Sequence, residues 1–257
     1  MLSAENVSFK VGSTYLLHPS TIYYEANKFH VIMGSNGAGK STLLKLLAGD
    51  QKPSSGKIVL SEKQLTRYSK KELAKKRAVL SQHYHVSFPL SVNDIVLMGR
   101  YPYFENSPRD NDLAICKLAM QLMDVYQLSD RDYNSLSGGE AQKVQMSRVL
   151  SQIWNTEDPE EKLLLLDEPV SHLDIKYQHQ LLTAAKDLCN QHTTVIAILH
   201  DINLAIAYAD RILFMKEGKI LYDTTELFKI STEVIRQVFD VPSSIIHPQG
   251  HKPVVLF

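Results

Sequence analysis

The run Gly34-Ser35-Asn36-Gly37-Ala38-Gly39-Lys40-Ser41 fits the pattern GxxxxGK[ST]. Such a run cradles phosphate. Glycines let the backbone curl until successive N–H groups point inward at phosphate oxygens. A helix start directly after the loop adds a partial positive charge. Lys40 is then expected to reach the β- and γ-phosphates, and Ser41 to offer its hydroxyl to Mg²⁺, with Thr42 next in the same binding set. The flanks agree. Phe29–Met33 is a short apolar strand signal, and Ser41–Ala48 reads as a helix stopped by Gly49.

A second group of reactive side chains follows an apolar run, Leu163-Leu164-Leu165-Leu166-Asp167-Glu168. An apolar strand ending in an acid is common and by itself says little. Beside a phosphate loop it becomes specific. Asp167 is placed to hold Mg²⁺, and Glu168 to polarise a water aimed at the γ-phosphate. A solvent-exposed loop acid is the plain alternative for Glu168, and Pro169 directly after it favours the base.

Leu136-Ser137-Gly138-Gly139-Glu140 narrows the choice among phosphate-loop proteins. It resembles the signature LSGGQ of ABC ATPases, with Glu140 where Gln is usual. Ser137 and the following glycines at a helix start make a second anion site. In that family the site meets the γ-phosphate held by the opposite subunit, so the resemblance implies a homodimer with ATP and Mg²⁺ between its halves. Gln82 looks like the family's Q-loop glutamine, which touches Mg²⁺ or the lytic water. Ser171-His172-Leu173-Asp174 looks like the D-loop, which crosses the dimer interface, and His200 like the H-loop histidine at the γ-phosphate. The family often stacks an aromatic on adenine from the N-terminal strands. Register puts that position near Val11, which is not aromatic. Phe9 and Tyr15 are the neighbouring candidates, and apolar contact with the base is the alternative.

The resemblance implies an α/β P-loop NTPase fold, a RecA-like core with an N-terminal antiparallel β subdomain and an α-helical subdomain. Residues 1–88 and 160–240 are assigned to the core, 89–159 to the helices and 241–257 to an irregular tail. A lone ATPase domain suggests an importer-type assembly. Ser87–Val92 and Val96–Pro102 resemble the segment after the Q-loop in ferric-siderophore, vitamin B12 and haem importers. Phe88, Tyr101 and Tyr103 are expected on the groove that receives a permease helix, with packing inside the helical insert as the alternative. The stretch Gln152–Pro159 resembles an insertion of haem-importer ATPases, which makes haem the expected cargo. His83 and His85 are read as solvated loop residues. The expected partners are two permease copies and, indirectly, a substrate-binding protein, at the cytoplasmic face of a bacterial inner membrane. A soluble ABC ATPase acting on ribosomes or DNA is the competing class, and a non-catalytic module with a degenerate site is a further one.

The elements that must position these residues follow a simple pattern. Strand signals at Leu2–Val11 and, after a turn at Pro19, Thr21–Glu25 open the chain. Val92–Gly99, Asp112–Met123 and Gly139–Ile153 carry apolar residues at helical spacing. Strands and helices then alternate, ending in a hairpin at Lys216-Glu217-Gly218, which argues for a mainly parallel sheet. Among 257 residues, 44% are hydrophobic and 22% charged, enough for a full core. The formal net charge of zero favours no nucleic-acid partner. Lys70, Lys71, Lys75, Lys76 and Arg77 read as a solvated helix face. Cys116 and Cys189 sit in apolar helical patterns with no paired spacing, so buried thiols are expected. Met1–Glu5 lacks a secretory pattern, and no run is long enough to span a bilayer.

Overall fold

A computed structural model describes residues 2–82, 86–154, 161–171 and 173–257. His83, His85, His172 and the insertion residues from Asn155 to Pro159 fall outside them. Strands β1 (Leu2–Val11) and β2 (Thr14–Tyr24) form the opening hairpin. Next come β3 (Phe29–Gly34), α1 (Lys40–Ala48), β4 (Ser55–Leu60) and the short β5 (Lys63–Gln64). Four of these strands make an antiparallel sheet in the order β2-β1-β4-β5. Pro19 lies inside β2 rather than at a turn. As an edge strand, β2 leaves one side unpaired, so a missing N–H is tolerated there.

Helix α2 (Lys70–Lys76) buries no residue and leads into β6 (Arg77–Leu80). The helical segment follows, with α3 (Val92–Leu97), α4 (Asp110–Leu122) and α5 (Gly138–Ile153). Its centre is tied by Arg100, whose Nε donates to Asp112 at 2.9 Å while its Nη1 donates to the Ser151 and Trp154 carbonyls. One guanidinium thereby joins α4 to the C-terminal end of α5, where free carbonyls need donors. The guanidinium also lies 3.8 Å from the Tyr103 ring centroid.

Alternation resumes with β7 (Lys162–Asp167), α6 (Ile175–Cys189), β8 (Thr193–Ile198), α7 (Ile202–Tyr208), β9 (Arg211–Lys216) and β10 (Lys219–Thr224). Six strands form the second sheet, β10-β9-β3-β8-β7-β6, parallel except for the β9–β10 hairpin. Both faces are covered. Leu164, Leu166, Val195, Ala197, Ile212 and Phe214 point to a core shared with the helices. Their neighbours Leu163, Leu165, Ile196, Ile198, Leu213 and Met215 point to a core shared with α1 and the antiparallel sheet. Period-two alternation between two buried faces explains why these strands read as unbroken apolar runs.

Helix α8 (Thr232–Phe239) had no sequence assignment, and the tail beyond it is not irregular. Strands β11 (Ser244–Ile246) and β12 (Val254–Leu256) pair there as an antiparallel ribbon. The Asn203 side-chain amide on α7 donates to the Val255 carbonyl at 3.0 Å and accepts its N–H at 2.8 Å. That amide acts as a one-residue strand partner, which a composition rich in proline conceals.

Candidate functional site

The parallel strands deliver their C-terminal ends to one edge of the sheet, where open α/β sheets bind ligands. There β3 ends in Gly34 and the loop turns into α1. The loop is clamped from both sides. A Cβ on Gly34 would sit 2.1 Å from the Met215 carbonyl oxygen, and one on Gly39 2.5 Å from that of Leu16. Gly39 also holds φ 96°, which L side chains rarely adopt. The Gly218 N–H donates to the Ala38 carbonyl at 3.0 Å, and the His18 N–H donates to that of Gly218 at 2.8 Å. Two distant segments, β2 and the β9–β10 hairpin, thus fix one short loop.

Lys40 is buried, and its ammonium donates to the Gly34 and Ser35 carbonyls at 2.9 and 3.0 Å. Burial pulls its pKa below the ordinary lysine range, against the opposing pull of Glu168 and Asp167. Asp167 ends β7, and its carboxylate accepts from the Ser41 hydroxyl at 3.2 Å. Burial raises that carboxyl's pKa, with the Ser41 bond acting in the other direction. The next residue, Glu168, has φ 51°. Its carboxylate accepts from Gln82 Nε2 at 2.8 Å on one oxygen, and His200 Nε2 lies 2.7 Å from the other. Gln82 follows β6 and His200 follows β8, so the strands flanking β7 each supply a residue to its acid.

All of these but Asp167, which lines a neighbouring hollow, face a cavity of about 610 Å³, lined by Leu16, residues Asn36 to Thr42, Gln82, Glu168 and His200. That size suits a small organic ligand. Among the described residues no three His, Cys, Asp or Glu side chains gather as a metal-ligand cage. Ser41 and Asp167 offer adjacent oxygens, with Gln82 lining the same neighbouring hollow. Such a sparse oxygen set fits Mg²⁺, which keeps waters and relies on one or two carboxylates plus substrate phosphates.

Ser137, Gly138, Gly139 and Glu140 are not part of this cavity. Ser137 caps α5, and the Glu140 carboxylate accepts from the Ser137 N–H and hydroxyl at 2.8 and 2.7 Å. The Ser137 hydroxyl and backbone hold the Glu140 carboxyl below the usual range. Ser137, Gly139, Glu140 and Asp174 line a separate cavity of about 410 Å³ with Lys143 and Tyr177. The Lys143 ammonium lies 3.7 Å from the Tyr177 ring centroid. Asp174 also caps α6 by accepting from the Tyr177 N–H at 3.0 Å. The two cavities share no lining residue. A hydrogen bond from Gln142 Nε2 to the Pro169 carbonyl, 2.9 Å, links α5 to the chain just after Glu168.

Sequence reasoning missed Leu16, which lines the first cavity while Val11, Phe9 and Tyr15 do not. Phe9 packs against the core, and Tyr15 stacks on His18 with ring centroids 4.7 Å apart. Of the aromatics expected on an outer groove, Phe88 and Tyr101 are 62% and 56% exposed. Tyr103 is half-buried instead, its hydroxyl donating to the Gln152 carbonyl at 2.7 Å.

Residues 17–171 match the family described as ABC transporter. The chain is 41% identical over 257 residues to the hemin import ATP-binding protein HmuV of Hahella chejuensis, covering 100% of this chain and 99% of that one. It is 38% identical to the protein of the same name from Methylobacillus flagellatus, covering 99% and 95%. Among solved structures, a metal-chelate type ABC transporter in an inward-facing conformation aligns with TM-score 0.79 and 28% identity over 100% of this chain and 97% of that one. A dimeric bacterial ABC transporter cassette aligns with TM-score 0.76 at 24% identity over 87% and 98%, a likeness of fold alone.

Proposed function

The chain belongs to the ABC transporter ATP-binding family, and we propose that it is the ATP-hydrolysing subunit that energises a haem importer. The observation that supports hydrolysis most directly is the Glu168 carboxylate, held between Gln82 and His200 at the wall of the phosphate cavity. The haem assignment rests on likeness along the whole chain to hemin import ATP-binding proteins. Likeness to a metal-chelate type transporter favours a second reading, import of a ferric siderophore or vitamin B12.

In this reading the loop N–H groups and Lys40 hold the phosphates. Lys40 is buried, so its charge acts through a medium less screening than water. Ser41, Asp167 and Gln82 would hold Mg²⁺, which would supply positive charge to offset that of the nucleotide phosphates. Glu168 accepts a proton from the attacking water, and Gln82 and His200 keep its two oxygens in place. His200 is close enough to the same end of the cavity to steady charge on the transferred phosphoryl group.

Ser137 and Gly139 face a different cavity, so one copy presents two half-sites. A homodimer in which each nucleotide meets the partner's α5 N-terminus completes both. ATP then favours the closed pair through its differential affinity, and hydrolysis releases it. Among the described residues no helix is long and apolar enough to cross a membrane. A peripheral place on the cytoplasmic face, beneath two permease copies, fits that finding. Exposed Phe88 and Tyr101 suit a groove for the permease helix.

The test is ATPase activity of the subunit assembled with its permease in lipid, with binding protein either haem-loaded or empty. Stimulation and haem uptake with loaded protein alone are expected. Hydrolysis indifferent to haem would move the cargo to a siderophore or cobalamin, and absence of phosphate release would overturn the ATPase reading.

A further inference from the structure

Glu168 carries its carboxylate on unusual backbone. Its φ of 51° lies in the left-handed region that residues other than glycine seldom enter. Pro169 adds to the conflict, since proline pushes the residue before it toward extended backbone. Among the described residues that line the nucleotide cavity, Glu168 is the one non-glycine with positive φ. Backbone of this kind persists only where its surroundings over-determine it.

Two side chains supply that determination. The Ser171 hydroxyl donates to the Glu168 carbonyl at 2.9 Å, and the Ser171 N–H donates to the same oxygen at 3.3 Å. Those bonds close a local turn. The next carbonyl, that of Pro169, accepts from Gln142 Nε2 at 2.9 Å, from 27 residues away. Two consecutive carbonyls after the acid are thus pinned, one from within the loop and one from α5. Gln82 and His200 hold the tip of the Glu168 side chain. Gln142 holds the main chain at its root. It does not line the cavity, so any effect on hydrolysis passes through Glu168.

We propose that Gln142 is a positioning residue for hydrolysis, fixing the Pro169 carbonyl so that Glu168 keeps the backbone that aims its carboxylate. The proposal rests on the ATPase reading above, with Glu168 as the base. Misplacing a reacting group by about 1 Å costs up to about 10²-fold in rate, so a bond outside the cavity can matter this much. Ser137 caps α5, and Gln142 lies just over one turn along the same helix. The base and the Ser137 half-site of one copy are therefore tied to one rigid element, and a shift of α5 moves both.

The experiment is phosphate release by the full chain with Mg²⁺ and ATP, for wild type, Gln142→Met and Gln142→Glu, each also combined with Glu168→Gln. Methionine keeps the length without the donor, and glutamate keeps the shape while setting an acceptor against the Pro169 carbonyl. Both residues favour helices and Gln142 is half-buried, so both variants should fold, and thermal unfolding checks that they do. The kcat of each single variant is expected to fall about tenfold or more while KM for ATP stays within about twofold. With Glu168→Gln already present, Gln142→Met should slow single-turnover hydrolysis by less than about twofold, because the group it serves is gone. A kcat within about twofold of wild type in a folded variant overturns the proposal. So does an undiminished loss in the Glu168→Gln background, and so does failure of both variants to fold, which would make the residue structural. Wild type that releases no phosphate overturns the ATPase reading itself, a result distinct from all of these.

Discussion

The Glu168 carboxylate is held by two neighbours and lies one residue beyond the acid that bonds Ser41. Its amide isostere would keep the shape and lose the proton acceptor. Glu168→Gln is therefore expected to retain ATP binding while hydrolysis falls by about 10²-fold or more, measured as phosphate release beside equilibrium nucleotide binding. An unchanged turnover would assign the base elsewhere. Gly39 supports a second expectation. Gly39→Ala places a methyl against the Leu16 carbonyl at a φ of 96°, a strain of about 1–3 kcal/mol. The variant should melt earlier and lose ATP affinity, as thermal unfolding and nucleotide titration would show. At this scale the sequence was legible where chemistry is contiguous. Gly34–Ser41 and Asp167-Glu168 announce themselves because their partners are adjacent in the chain. Leu16 does not, since its direction depends on a register slip against Phe9 and Lys10 that no single strand's pattern records.

Among the elements, strands of the parallel sheet were readable because both their faces are buried and their composition is apolar throughout. Pro19 and the tail were misread for the opposite reason, that tertiary placement overrides local preference. Pro19 survives because β2 lies at an edge, and β12 forms because α7 offers it an amide. That amide gives a test. Asn203→Leu removes both bonds and leaves the Val255 N–H and carbonyl without that partner, at a cost of about 1–3 kcal/mol. Hydrogen exchange at Val255 should accelerate while amides in β7 and β8 keep their protection. If Val255 exchange were unchanged, the ribbon would be held by its apolar side, Ile245 and Val255, alone.

For the whole molecule, the two thiols report integrity. Burial pushes the pKa of both Cys116 and Cys189 up to about 11, and both side chains are buried. A thiol reagent at neutral pH should leave the native chain unmodified and label both cysteines after unfolding. Acid should find a different weakness. Burial raises the Asp210 carboxyl, but bonds from Lys186 and the Phe29 N–H more than offset this and hold its pKa below the usual value. Its contribution is complete above the unfolded carboxylate's value of about 3.9 and is lost as pH falls through the lower folded value. Asp210→Asn should thus lower the melting temperature near neutrality and shrink the gap to wild type as the solution is acidified. The clamp around the phosphate loop has a consequence for synthesis. Met215 and Gly218 emerge from the ribosome long after Gly34 and Gly39, and until they do the loop is a glycine-rich stretch with no fixed curl. Nucleotide therefore cannot stabilise a half-made chain by binding it. A product stalled before the β9–β10 hairpin stays without its ligand and open to proteases, so ATP binding marks a chain in which that hairpin has been made.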